Sequence, residues 1–217
     1  ITTIIGLGFG NALDMRTRLL VQDSLNLNEN SDVGNILRQI VTYSFGLVIF
    51  GGVALTLILF QEWNLEAMYL GFWHATSAFC NAGFEVFKTE AGVRGYATNL
   101  PFNIIIMTLI TLGGLSFAVL GAVAKTKNWY KLRLHTKLVL TTTAILYLGG
   151  AIIFFLLEYF NAGTLAKYNL GDKILISCFQ SVTTHAAGFG TVELHKIKDA
   201  TFILFYVLMF IGASPAS

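Results

Sequence analysis

The chain has 217 residues, of which 55% are hydrophobic and only 12% are charged, and its formal net charge is +2. A soluble globular domain carries about twice this share of charged residues, so the composition excludes a soluble protein and indicates an integral membrane protein. Three charge-free runs, 39–61, 95–124 and 138–157, each reach the roughly 20 residues that a helix needs to cross the hydrocarbon. A fourth run, 200–217, is shorter.

In chain order, the sequence divides into parts of a repeated unit. We predict the end of a first unit's inner helix and a cytoplasmic connector over 1–37, a second unit over 38–124, a basic cytoplasmic loop over 125–137, and a third unit over 138–217 that is truncated in its inner helix. The sequence begins without methionine and ends within an apolar stretch. We therefore expect it to be an internal fragment of a longer chain.

Each complete unit is expected to contain an outer helix, a pore helix, a filter segment and an inner helix. These elements are predicted at 38–60, 65–79, 80–84 and 99–123 in the second unit, and at 135–159, 172–184, 185–189 and from about 199 in the third. The pore-helix segments carry polar side chains that would be costly against lipid. Non-helical backbone is tolerated at membrane depth only inside protein or along a water-filled cavity. The fold class is therefore an all-α polytopic membrane protein with re-entrant pore segments.

The loop 125–137 indicates the topology. It carries five basic residues and no acidic residue, whereas the loops that follow the two filter segments mix both signs. Positive charge concentrates on the cytoplasmic side of membrane proteins. The loop is therefore predicted to be cytoplasmic, and both filter segments enter from the outer face.

The two filter segments share the sequence Ala-Gly-Phe. Backbone carbonyls can replace the water around a cation without a fixed charge, and glycine takes dihedral angles that other residues resist. Gly83 and Gly188 are predicted in these strained positions, and Phe84 and Phe189 are predicted to anchor the strands from behind. The candidate filter residues are Cys80, Asn81, Ala82, Gly83 and Phe84 in the second unit, and His185, Ala186, Ala187, Gly188 and Phe189 in the third. The candidate carbonyl ligands are those of Asn81, Ala82, Gly83, Ala186, Ala187 and Gly188.

Three stretches, at 74–84, 112–117 and 210–217, resemble the Trk/Ktr/HKT potassium transporter superfamily, and most closely its bacterial Ktr membrane subunits. The resemblance implies a multi-pass protein of the bacterial plasma membrane, with four units around a potassium-channel-like pore. K⁺ is then the transported ion, and no cofactor is expected. The implied partners are a second membrane subunit in a homodimer, a cytosolic nucleotide-binding ring of the KtrA or TrkA type, and membrane lipid, but no nucleic acid. The implied gate begins at Gly212, Ala213, Ser214 and Pro215 in the third inner helix.

Two filter residues depart from the family pattern. Cys80 stands where many relatives carry asparagine, and His185 stands where a basic or polar residue is usual. Because the expected ligands are carbonyls, both departures should tune conduction without abolishing it. If His185 lies at the outer pore mouth, its protonation below about pH 6.5 would produce a pH-dependent block.

Several alternatives stay open at this point. A sodium-permeable or sodium-coupled transporter of the same superfamily fits the same motifs. An intramembrane enzyme would need His74, His135, His185 or His195 in a metal or nucleophile motif, and no such spacing occurs. An alternating-access transporter is disfavoured because the repeats appear parallel. The basic loop suits anionic lipid as well as a docked partner.

Overall fold

The computed structural model describes residues 33–126 and 128–212, and every regular element in this part of the chain is a helix. The α-helices are α1 (Val33–Trp63), α2 (Glu66–Phe79), α3 (Leu100–Gly114), α4 (Phe117–Lys125), α5 (Leu134–Glu158), α6 (Leu170–Ala186) and α7 (Asp199–Ile211). Short 3₁₀ helices occupy Gly92–Tyr96, Trp129–Lys131 and Leu194–Lys196. The predicted end of a first inner helix, over 1–32, lies outside the described residues.

The helices reproduce two successive units. The outer helices α1 and α5 contain spans, Leu37–Trp63 and Leu134–Glu158, that are long and apolar enough to cross a membrane. Each packs against the pore helix that follows it, α2 or α6. The inner helix α3 contacts both its own pore helix and that of the next unit. It therefore joins the two units into one body.

The inner helix of the second unit is not the continuous helix predicted over 99–123. It ends at Gly114, and α4 begins at Phe117 after a bend of 104°. Leu115 has extended backbone, and the hydroxyl of Ser116 accepts a hydrogen bond of 3.4 Å from the backbone N–H of Val119. Glycine is a poor helix former and serine a preferred N-cap. The Gly-Gly-Leu-Ser sequence therefore ends one helix and begins another.

Asparagine side chains fix the start of α3. The carbonyl oxygen of the Asn99 side chain accepts a hydrogen bond of 3.1 Å from the N–H of Phe102, and Pro101 lies in the first turn, where its missing N–H costs nothing. The buried amide nitrogen of Asn103 lies 2.8 Å from the carbonyl oxygen of Tyr96 and 3.1 Å from that of Ala97. The loop that follows the first filter segment is thereby tied to the inner helix.

A buried glutamate ties together α5, the loop that follows it and the start of α7. Glu158, at the end of α5, is fully buried. One of its carboxylate oxygens accepts hydrogen bonds from the Lys198 N–H (2.9 Å) and the Thr201 hydroxyl, at the start of α7. The other accepts from the Thr164 hydroxyl (2.7 Å) and the Asn161 amide, in the connecting loop. Four donors compensate the burial of this charge.

The second unit uses a tyrosine for the same purpose. The indole N–H of Trp63 donates a hydrogen bond of 2.9 Å to the Tyr96 hydroxyl, which itself donates to the carboxylate of Glu62. Burial, together with the hydrogen bond to Glu62, raises the pKa of Tyr96 to about 12. The hydroxyl therefore remains a neutral donor at physiological pH, and it links the end of α1 to the segment before α3.

We predict that Glu158→Gln destabilises the protein. The substitution preserves the shape but replaces one acceptor oxygen by an amide nitrogen, which leaves two buried donors unpaired at a cost of about 2 kcal/mol or more. The thermal stability of the purified full-length protein measures the effect. The control is Glu66→Gln, which removes only the ion pair to Lys88, whose two side chains are 54% and 72% exposed. An equal loss in both variants would contradict the assignment.

Candidate functional site

The two filter segments lie side by side. A methyl group placed on Gly83 would overlap the carbonyl oxygen of Ala187 and would lie 3.2 Å from the carbonyl carbon of Gly188. Gly83 has a φ of +69° and Gly188 a φ of +101°, a region that side chains disfavour. Position 83 therefore requires glycine for both space and dihedral angle. Position 188 requires it for the dihedral angle alone, because a methyl group there meets no atom within 4 Å.

A compact turn forms the first filter segment. Asn81 has a φ of +52°, a conformation that asparagine tolerates better than most residues. The N–H of Ala82 donates a hydrogen bond of 2.9 Å to the carbonyl of Ser77, and the Ser77 hydroxyl donates one of 2.9 Å to the carbonyl of Phe84. The pore helix and the filter segment after it are therefore linked at two points.

The end of α3 supports this turn from behind. The side-chain amide of Asn81 is oriented so that both of its groups have partners. It donates a hydrogen bond of 3.2 Å to the carbonyl of Ile110 and accepts one of 3.1 Å from the N–H of Gly114. A methyl group on Gly113 would overlap the carbonyl oxygen of Phe79. The Gly113-Gly114 pair is part of a motif visible in the sequence, but its role in supporting the filter depends on contacts that no spacing predicts.

The second filter segment is shorter than predicted. Helix α6 continues through Ala186, so His185 and Ala186 belong to the pore helix and the non-helical backbone begins at Ala187. The N–H groups of Ala187 and Gly188 each donate a hydrogen bond of 2.8 Å to the carbonyl of Thr183. The reason for the difference is local. The first pore helix ends at Phe79, two residues before Asn81 with its positive φ, whereas alanine, a strong helix former, occupies the place of Asn81 in the second.

His185 does not face the outer solution. Its side chain is 6% exposed, and its Nδ1 lies 3.3 Å from the carbonyl oxygen of Leu208. Its ring makes a T-shaped contact with that of Tyr147, with 5.5 Å between the ring centroids. The expected solvent-facing position at the pore mouth is therefore wrong, and the hypothesis of a pH-dependent block loses its geometric basis. Cys80, the corresponding residue of the first segment, is exposed.

The two filter phenylalanines differ in their environments. Phe189 is 1% exposed and lies in the core beside His74, with 6.4 Å between the ring centroids. Phe84 is 69% exposed. The expectation that both residues anchor their strands from behind is thus wrong for Phe84 within the described residues.

The carbonyl oxygens of the two filter segments lie at the C-terminal ends of helices. The C-terminal ends of α2 and α6 both lead into the filter segments, and a helix carries partial negative charge at this end. In residues 33–126 and 128–212, no hydrogen bond is formed to six carbonyl oxygens of the filter, those of Asn81, Ala82, Gly83, Ala186, Ala187 and Gly188. The Ala187 oxygen lies against Gly83 of the neighbouring segment.

The four histidines do not converge. His74 lies in α2, His185 in α6, His135 in the first turn of α5 and His195 in a short 3₁₀ helix. Among the described residues, no group of three or more His, Cys, Asp or Glu side chains could hold a metal ion.

The start of the expected gate is at the limit of the described chain. Gly212 follows α7 with a φ of +58°, and its N–H donates 3.0 Å to the carbonyl of Leu208. Ala213, Ser214 and Pro215 lie outside the described residues.

Comparison with known proteins agrees with this architecture. Residues 11–217 match the TrkH family, described as a cation transport protein. The chain is 32% identical over 209 residues to the Ktr system potassium uptake protein B of Bacillus subtilis, covering 96% of this chain and 46% of that protein. It is 31% identical over 201 residues to the potassium/sodium uptake protein NtpJ of Enterococcus hirae, covering 92% and 44%. It is also 30% identical over 212 residues to the Ktr system potassium uptake protein B of Vibrio alginolyticus, covering 96% and 46%.

The chain spans about half the length of these curated relatives. The family match, by contrast, includes both units and both filter segments. The chain therefore belongs to the TrkH family of cation transport proteins.

Proposed function

We propose that the full-length protein takes up potassium ions across the bacterial plasma membrane, through a pore lined by backbone carbonyls from four filter segments. Two of these segments are present in this chain. The observation that carries the proposal is their arrangement: Gly83 and Gly188 lie side by side at positive φ, beside carbonyl oxygens with no described partner. Because the family is one of transport proteins, the protein is not an enzyme.

The charges around the filter support cation binding. The segments 80–84 and 186–190 contain no Asp, Glu, Lys or Arg, so the ligands for an ion must be dipoles. Carbonyl oxygens can replace the hydration shell of a potassium ion, and the C-terminal ends of both pore helices favour positive charge at this place. The same dipoles would repel an anion.

A second candidate function is uptake of sodium as well as potassium, including sodium-coupled uptake. The observation in its favour is the match to NtpJ, which is named a potassium/sodium uptake protein. Preference between the two ions depends on the field of all four filter segments. The ratio of potassium to sodium uptake separates the two candidates.

We propose that the inner helix of the third unit gates the pore from Gly212 onward. The second unit supports this assignment, because its inner helix breaks at Gly114-Leu115-Ser116-Phe117. The third unit has Gly212-Ala213-Ser214-Pro215 at the corresponding place in its sequence. Serine as an N-cap and proline in the first turn both favour the start of a new helix.

We propose that two such subunits form a homodimer on a cytosolic nucleotide-binding ring. Two relatives are named as proteins of a Ktr system, which fits a membrane subunit that works with a regulatory one. The basic loop offers a contact surface, since Lys125, Lys131 and Arg133 are exposed and the Tyr130 side chain is 87% exposed. Anionic lipid is the competing occupant of this surface.

We predict that Gly188→Ser lowers the ratio of potassium to sodium uptake about tenfold without loss of folded protein. A methyl group at this position meets no atom within 4 Å. The substitution therefore acts through the positive φ, which costs a residue with a side chain about 1–3 kcal/mol and strains the filter backbone. Gly83→Ser should lower both the selectivity and the yield of folded protein, because its side chain meets the Ala187 carbonyl. Uptake by the full-length protein is measured in cells that lack their own potassium importers.

Gly149→Ser is the matched control for both filter variants. Gly149 also has no atom within 4 Å of an added methyl group, but it lies in α5 and has no positive φ. It should transport as the wild type does. Unchanged selectivity in Gly188→Ser would contradict the filter assignment. Wild-type uptake no faster than that of empty cells, with normal expression and a supplied cytosolic partner, would contradict the proposed function.

We predict that replacing Lys131 and Arg133 with glutamine weakens binding of the cytosolic ring at least threefold, because each exposed ion pair contributes up to about 1 kcal/mol. Binding of the purified ring to the detergent-solubilised membrane subunit measures this effect. Lys88→Gln, on the opposite side of the membrane in the predicted topology, is the control. Unchanged ring binding, together with weaker binding to vesicles that contain anionic lipid, would assign the loop to lipid instead.

A further inference from the structure

One backbone carbonyl connects the second filter segment to the end of α7. The carbonyl oxygen of Leu208 accepts a hydrogen bond of 3.0 Å from the N–H of Gly212, and Nδ1 of His185 lies 3.3 Å from the same oxygen. His185 lies two residues before Ala187, where the non-helical filter backbone begins. The last turn of the inner helix and the last turn of the pore helix therefore share an acceptor.

His185 also lies beside the break in the preceding inner helix. It lines a cavity of about 20 Å³ together with Thr111, Gly114 and Leu115, at the junction between α3 and α4. Tyr147 lines the same cavity and meets the His185 ring edge-on. This volume admits about one water molecule, so the ring has little space to turn away from Leu208.

The helix α7 is held at both of its ends. Glu158 accepts hydrogen bonds from Lys198 and Thr201 at the outer end. At the inner end, the Leu208 side chain lies 3.1 Å from a methyl group placed on Gly150 of α5. Because the Gly212 N–H donates a hydrogen bond to the Leu208 carbonyl, displacement of the chain at Gly212 acts directly on that carbonyl.

We propose that His185 is a positioning residue that couples the filter to the gate of the third unit. This inference rests on the proposed function of Gly212 as the start of the gate. Movement of the chain at Gly212 changes the position of the Leu208 carbonyl, His185 follows its acceptor, and the carbonyls of Ala187 and Gly188 shift with the end of α6. The second unit has no equivalent, because its corresponding residue is the exposed Cys80.

Two substitutions separate the hydrogen bond from the packing of the ring. His185→Asn retains a donor close to the place of Nδ1, whereas His185→Phe retains the ring against Tyr147 and has no donor. Hydrogen exchange of the full-length protein should be at least threefold faster over residues 208–212 in the Phe variant, and close to wild type in the Asn variant. Equal exchange rates in both variants would overturn the proposal.

A double-mutant cycle measures the coupling itself. His185→Phe and Gly212→Ala are compared singly and together, with the ratio of potassium to sodium uptake as the readout. Residues in one hydrogen-bond network are non-additive, so the combined effect should differ from the product of the single effects by a factor of about three or more. The control cycle pairs Cys80→Ala with Gly212→Ala and should be multiplicative.

The outcomes distinguish this inference from the proposed function. A multiplicative result for the His185 cycle would overturn the coupling even if the wild type transports potassium rapidly. Faster exchange in the Phe variant alone would support the role of His185 in holding the Leu208 carbonyl, even if the wild type transports no potassium. That absence of uptake would contradict only the proposed function.

Discussion

The close approach of α3 to the end of the first pore helix determines the geometry of the site. Because Gly113 has no side chain, its backbone lies directly against the carbonyl oxygen of Phe79. This approach lets Asn81 bond to Ile110 and Gly114 and supports the strained turn of the filter. The same helix contacts the next pore helix, so the position of one filter segment decides that of the other.

Glycines let the outer and pore helices pack closely in both units. In the second unit Gly71 of the pore helix faces Thr56 of α1, and Gly52 of α1 faces Phe72 of the pore helix. In the third unit the glycine is on the outer helix, where Gly150 faces Ser181 of α6. Both hydroxyls donate to outer-helix carbonyls, at 2.7 and 2.8 Å. Small residues allow such close helix packing in a membrane, and either helix can supply them.

Composition and charge-free runs predicted the outer helices, the shorter helices that follow them and the membrane class, because these depend on burial of apolar surface along one element. Details that depend on contacts between elements were not predictable. The break at Leu115 arises from local residue preferences that a hydropathy pattern ignores. The burial of His185 depends on Tyr147 and Leu208, which are distant in sequence. The extra helical residues before Ala187 reflect the absence of an asparagine like Asn81.

The four donors to Glu158 are made at very different times during synthesis. Asn161 and Thr164 follow the glutamate by three and six residues, whereas Lys198 and Thr201 follow by 40 and 43. A carboxylate with half of its donors missing is expensive to remove from water. Glu158 therefore gains its full set of donors only once the start of α7 lies against the end of α5. Packing of the third unit around this carboxylate thus waits for α7.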